Sequence, residues 1–148
     1  MQKAYKTIVA YYILYALSLL LSITALFHYK VGFDTTALLS YYQGSSDAFI
    51  QAKSHYSVLK SILPHLMAYA LFIMVTLHFL LFSKYKESLL FQSVTYMTFL
   101  AAAFEIASPF LILTGLNIFI YIKLISFFLL VSSLLYILWL LIESLLQE

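Results

Sequence analysis

Apolar residues run in four long blocks separated by polar links, at about 8–28, 62–83, 89–113 and 118–142. Each block is long enough for a helix to cross roughly 30 Å of hydrocarbon, which takes about 20 residues. Within a block the apolar positions cover every side of a helix, leaving no face suited to water. Thr114-Gly115-Leu116-Asn117 reads as a tight turn, with Gly115 left-handed after span 3 and Asn117 capping span 4. The link Ser83–Ser88 is also short. Spans 2, 3 and 4 are therefore expected to be successive antiparallel neighbours. Pro64 falls in the first turn of span 2, where a missing N–H is tolerated.

The one long connection is 29–60. Asp34 can cap a short helix over Thr35–Gln43, and Gly44 can stop it. A second short helix is expected from Asp47 or the serines before it. There Phe49, Ala52, Tyr56, Leu59 and Leu63 follow helical spacing along one stripe, as in a helix lying at the membrane interface or capping the bundle end. The predicted fold class is all-α. It is an integral membrane four-helix bundle, a single domain over 1–148, with two short outer amphipathic helices in 34–60.

Composition removes most alternatives. Hydrophobic residues make up 64% of the 148 and charged residues only 9%, against roughly a quarter in soluble domains. The mean hydropathy of +0.99 agrees. A soluble enzyme, a disordered chain and a secreted disulfide scaffold are excluded. Cysteine is absent, so thiolate chemistry and Cys-ligated metal sites are excluded as well. A net charge of +2 without a lysine run argues against nucleic acid as a partner. The apolar run Ile8–Phe27 exceeds the roughly 7–15 residues of a signal-peptide core, so a retained first span is expected.

All eight basic residues are lysine. Lys3, Lys6, Lys84 and Lys86 fall at one face of the membrane and Lys30, Lys53 and Lys60 at the other. Lysines in short segments set orientation. Both termini are expected inside, with Glu143 and Glu148 as a solvated acidic end, in a bacterial cytoplasmic (inner) membrane. Tyr5, Tyr29, Tyr85 and Tyr121 lie near the expected interfaces.

Small and polar residues mark buried faces where water is absent. They predict inward stripes at Tyr11, Tyr15, Ser18, Ser22 and Ala25 of span 1. In span 3 the stripe is Thr95, Thr98, Ala102, Glu105 and Pro109, and in span 4 it is Lys123, Ser126, Leu130 and Ser133. Glu105 is the sharpest signal, because a carboxylate at a span's centre costs about 2.5–3.5 kcal/mol on insertion scales. Pro109, four residues later, removes the N–H that would have bonded the Glu105 carbonyl. Lys123 lies at nearly the same depth across the hairpin, about 9 Å in against about 12 Å. Three readings follow: a structural ion pair, a snorkelling Lys123 beside a protonated Glu105, and a proton or cation site.

The histidines are the second signal. His28, His65 and His55 all lie near the membrane face opposite the termini. His28 with His65 or His55 could hold a b-type haem, and the three together could hold copper or zinc, with Met67 as a soft ligand. The alternative is that they are interfacial side chains without a ligand. His78 lies 13 residues beyond His65, about 140° around the helix, so it does not extend the set.

No phosphate loop, HExxH pair, intramembrane Asp pair or nucleophile elbow is found. Tyr41-Tyr42-Gln43-Gly44 after span 1, Pro64-His65 at span 2 and His78 later in that span resemble a group of small, uncharacterised four-span bacterial inner-membrane proteins. That resemblance implies localisation and topology. A likeness to haem-bearing four-helix membrane cytochromes departs at the 13-residue spacing and at the absence of histidine from spans 3 and 4. Three functions are in view. The first is a non-enzymatic accessory, assembly or interaction subunit that meets lipid and a membrane-protein partner or a second copy. The others are a haem redox protein and a carrier centred on Glu105.

Overall fold

A computed structural model describes residues 3–83 and 85–147. Lys84 and Glu148, placed above at the face of the termini, lie outside the described residues. The elements are α1 (Lys3–Lys30), α2 (Thr35–Gln43), α3 (His55–Leu80), α4 (Leu89–Leu113) and α5 (Ile118–Gln147). Four of the five are long and apolar enough to cross a membrane, and α2 is the short one.

Local signals explain where the helices start and stop. The Asp34 carboxylate accepts from the backbone N–H groups of Thr36 and Ala37 at the head of α2. The Thr36 hydroxyl and those N–H groups hold its carboxyl below the ordinary aspartate value. Ser54 caps α3 by accepting from the Ser57 N–H, and Ser88 caps α4 by accepting from the Phe91 N–H. Gly115 takes the left-handed region at φ +90. Its N–H donates to the Ile112 carbonyl at 3.0 Å, and the Leu116 N–H reaches back to Leu111 at 3.2 Å. This pair of bonds closes a helix end that needs a residue without a Cβ. Asn117 does not cap α5 with its side chain; its Oδ1 instead accepts from Gln43 at 2.9 Å.

Two boundaries differ from expectation. The second outer helix is absent, because residues 45–50 close a tight turn. Ser45 and Ile50 exchange backbone bonds of 2.9 and 3.0 Å, and Phe49 sits at φ 55 with its ring exposed. Ser45 Oγ accepts from the Ala48 N–H at 3.3 Å, so a serine side chain competes for the donors a helix would need. The amphipathic stripe at Tyr56, Leu59 and Leu63 instead belongs to the head of α3, which starts at His55. Pro64 consequently lies inside α3 rather than in its first turn.

The α4–α5 hairpin is the centre of the bundle. The span-3 and span-4 stripes are buried as expected at Thr98, Ala102, Glu105 and Pro109 on α4 and at Lys123, Ser126, Leu130 and Ser133 on α5, while Thr95 is only half-buried. Helix α1 is turned the other way. Its buried side is Val9, Ile13, Ala16, Leu20 and Phe27, while Tyr11, Tyr15, Ser18, Ser22 and Ala25 face outward. At 100° per residue the two sets lie about 180° apart. The inward side carries two phenols that meet α3: Tyr12 reaches Thr76 Oγ1, and the Tyr5 hydroxyl donates to the Phe79 carbonyl at 3.3 Å. Apolar side chains fill the remainder of the contact.

The connection 31–54 is folded onto the bundle end. Gln43 donates to the Ile112 carbonyl and to Asn117, both at 2.9 Å, which ties α2 to the α4–α5 turn. The Lys53 N–H donates to the Tyr42 carbonyl at 2.9 Å. Gly44 sits at φ +83 where a Cβ would lie 2.7 Å from the Ala52 nitrogen and 2.8 Å from the Ile50 oxygen. A Cβ on Gly115 would meet nothing within 4 Å. Both Gly44→Ala and Gly115→Ala incur a left-handed backbone penalty of about 1–2 kcal/mol, but only the first drives a methyl into backbone. Thermal unfolding in detergent is expected to show a clearly larger fall for Gly44→Ala; equal falls would contradict the packing described around Gly44.

Candidate functional site

Glu105 and Lys123 meet at the end of the bundle that carries α2. Lys123 Nζ donates to Glu105 Oε1 and also to the Glu105 backbone carbonyl, the latter at 2.8 Å. That carbonyl is the one Pro109 leaves without a helical donor. Ser126 Oγ lies 3.3 Å from Oε2. One ammonium thus serves a carboxylate and an orphaned backbone group, and the carboxylate has partners on both oxygens. Both side chains are buried, at 5% and 7% exposure. Lys123 does not reach for the surface. The local reason is the tight α4–α5 turn, which brings position 105 level with position 123.

Above the pair lies a cavity of about 140 Å³, partly open to the outside. Its walls come from every helix. Ile23, Phe27 and Lys30 are from α1, Tyr41 and Tyr42 from α2, and Ser61, Ile62, His65 and Tyr69 from α3. Ile106 and Pro109 of α4 and Phe127 of α5 complete it together with the ion pair. Tyr42, on the membrane-external α2, is buried, and burial together with the Glu105 carboxylate pushes its phenol upward from the ordinary tyrosine value. It stays a neutral hydrogen-bond donor throughout the physiological range.

The histidines are distributed differently from the depth argument. His65 lines the ion-pair cavity, with its ring 6.1 Å from that of Tyr69. His28 stacks on Phe33 at 5.0 Å and lines a separate hollow with Thr36 and Ser40. His55 is the exposed first residue of α3. Among the described residues no group of three or more His, Asp or Glu could hold a metal ion, so the three-histidine copper or zinc arrangement is not assembled. The reason is azimuth. Phe27 is buried in a stack on Phe127 with centroids 4.0 Å apart, and one residue further turns His28 by about 100°, away from the bundle. His78 packs edge-on to Phe82 at 5.4 Å, by a hollow at the far end of α3.

Sequence reasoning missed the cavity itself. Tyr42, Tyr69, Ser61 and Lys30 belong to it, and the available signal was that they share the end of the bundle where Glu105 lies, which draws attention only once α2 is known to fold over that end.

Residues 32–148 match the family model of the transmembrane helical domain Aq_1264_TM. The chain belongs to that family. No curated protein and no solved structure matches it. The transmembrane helical domain takes in α2 to α5 with Glu105, Pro109, Lys123 and His65, while α1 precedes it. With four apolar helices, one of them outside the matched stretch, the chain is a membrane protein in contact with the lipid bilayer.

Removing one partner of a buried pair costs about 3–5 kcal/mol, because the other charge is left unmatched. Lys123→Met also orphans the Glu105 carbonyl. Equilibrium unfolding in detergent is expected to place the loss for Lys123→Met in that range and the loss for the double variant Glu105→Gln/Lys123→Met well below it. A Lys123→Met protein as stable as the parent would show that the pair does not hold the hairpin.

Proposed function

We propose that this protein is a membrane assembly protein without catalysis of its own, an interaction subunit that works through helix–helix contact, and that its first partner is a second copy joined through α1. The reading is supported by the outward face of α1. Residues 7–29 carry no Lys, Arg, Asp or Glu, and Tyr15 and Ser18 lie within about 5 Å of the middle of that stretch at 1.5 Å per residue. Yet Tyr11 and Tyr15 are 71% and 64% exposed, and among the described residues their hydroxyls make no hydrogen bond. Hydrocarbon offers a phenol no acceptor, so such a group favours a protein neighbour.

The same stripe carries the matching acceptors. Ser18 Oγ donates to the Leu14 carbonyl at 3.0 Å and Ser22 Oγ to the Ser18 carbonyl at 2.8 Å. Each serine has its proton committed and its lone pairs free. A two-fold axis along the membrane normal sets Tyr15 of both copies at one level, with Ser18 of each about 4.5 Å further along, within reach of the other copy's phenol. The stripe is uncharged and therefore self-complementary, as a two-fold interface requires. The lysines bracketing the spans support placement in a bacterial cytoplasmic membrane with both chain ends inside.

The cysteine-free sequence makes the test direct. Single variants Ser18→Cys and Ser22→Cys, oxidised mildly in native membranes, are expected to give a disulfide-linked dimer. Leu21→Cys, exposed but about 60° round the helix from Ser18 and about 100° from Ser22, is expected to give clearly less. Equal crosslinking at all three positions, or none with a monomeric mass in mild detergent, would overturn the reading.

A further inference from the structure

The cavity above the ion pair has an unbalanced set of polar groups. Lys30, Lys123, Tyr42, Tyr69 and Ser61 all present donors to it, while Glu105 is the one carboxylate in its lining. Glu105 is already matched, by Lys123 on one oxygen and Ser126 on the other. Lys30, exposed at the end of α1, has no ion-pair partner among the described residues. The hydroxyls of Tyr42, Tyr69 and Ser61 make no hydrogen bond among them either, although Tyr42 is buried. A surplus of unpaired donors opening onto the cavity, beside an unmatched cation, favours a ligand rich in acceptors and negatively charged.

Size and shape narrow the class further. A cavity of about 140 Å³ exceeds the roughly 10–15 Å³ needed for one water and falls well short of the roughly 300–1,000 Å³ that enclose a whole small ligand. It accommodates one end of a molecule. The remaining walls are apolar, with Ile23, Leu26 and Phe27 on α1 and Ile62 on α3. Helices α1 and α3 are joined lower down, where Tyr5 packs on Phe79 and Tyr12 on Phe72 and Thr76. Beside the cavity Leu26 is 47% exposed and His65 is exposed too, so the gap between the two helices faces lipid.

We propose that this cavity binds the anionic headgroup, a phosphate or a carboxylate, of an amphiphile whose apolar chain leaves between α1 and α3. Lys30 supplies the charge at the mouth. Tyr42, Tyr69 and Ser61 supply directed hydrogen bonds, with His65 beside them. The Glu105–Lys123 pair forms the floor, where the two charges cancel and leave the unused N–H of Lys123 as one more donor. The headgroup could come from a bilayer phospholipid or from a free fatty acid, which share this chemistry.

The experiment is native mass spectrometry of the delipidated full chain, titrated separately with dioleoylphosphatidylglycerol, dioleoylphosphatidylcholine and oleate. One tightly held copy of phosphatidylglycerol or of oleate is expected, and whichever binds identifies the source. Phosphatidylcholine, with its charge cancelled, is expected to bind at least about tenfold more weakly, a difference of about 1.4 kcal/mol. Lys30→Gln is expected to weaken the anionic adduct by about tenfold, and Ser61→Phe, which fills the cavity, to abolish it. Lys60→Gln, at the same membrane face but outside the lining, leaves it unchanged. Thermal unfolding confirms that each variant is folded. Equal binding of all three probes, absence of a single-copy adduct, or equal effects of Lys30→Gln and Lys60→Gln would each overturn the proposal.

Discussion

In hydrocarbon neither a carboxylate nor an unpaired backbone carbonyl can fall back on water. Glu105 and Pro109 place one of each on the same turn of α4, and Lys123 answers both from α5. Each of the three residues alone would be a liability in a span. Together they leave no net charge, no orphaned carbonyl and a fixed register between the two helices. The Schellman-type turn at Gly115 makes this possible, because a looser link would let positions 105 and 123 slide past each other.

The remaining elements arrange themselves around that hairpin. Helix α2 is fastened to its turn by the two hydrogen bonds of Gln43 and so roofs the end of the bundle where the charges lie. Helix α3 joins α1 near the opposite end, through phenol and ring contacts at Tyr5 and Tyr12. The cavity between α1 and α3 therefore lies under α2 and inherits the polar lining of that roof. Fold and candidate site are two results of one placement of charge.

Much of this was legible in the residues. The four spans, the α2 helix with its Asp34 cap, the left-handed Gly115 and the inward stripes of α4 and α5 follow from hydropathy, capping chemistry and the cost of burying polar groups. The failures share a physical origin. The outer segment after Gly44 has helical spacing, but Ser45 and Ile50 take each other's backbone groups first, and a local turn wins over an amphipathic pattern. The stripe on α1 was assigned inward because polar residues in a span seek protein. That rule does not say which protein, and the inward side is satisfied by the hydroxyls of Tyr5 and Tyr12, which bond to α3. For the histidines, depth can be counted along a helix, whereas azimuth depends on which neighbour wins the packing. Phe27 wins over His28 because a phenyl ring stacks on Phe127 at no desolvation cost.

The packing of α1 on α5 has a consequence for biosynthesis. Phe27 and Phe127 touch although 100 residues of chain separate them. At translation rates of roughly 5–20 residues per second, α1 waits about 5–20 s in the bilayer before the helix it leans on has been made. During that interval its α5-facing side is bare, while the hydroxyl stripe on the opposite side is already complete. Docking of α1 onto α5 is therefore a late event of maturation, and a meeting between two nascent copies of α1 has a head start over it.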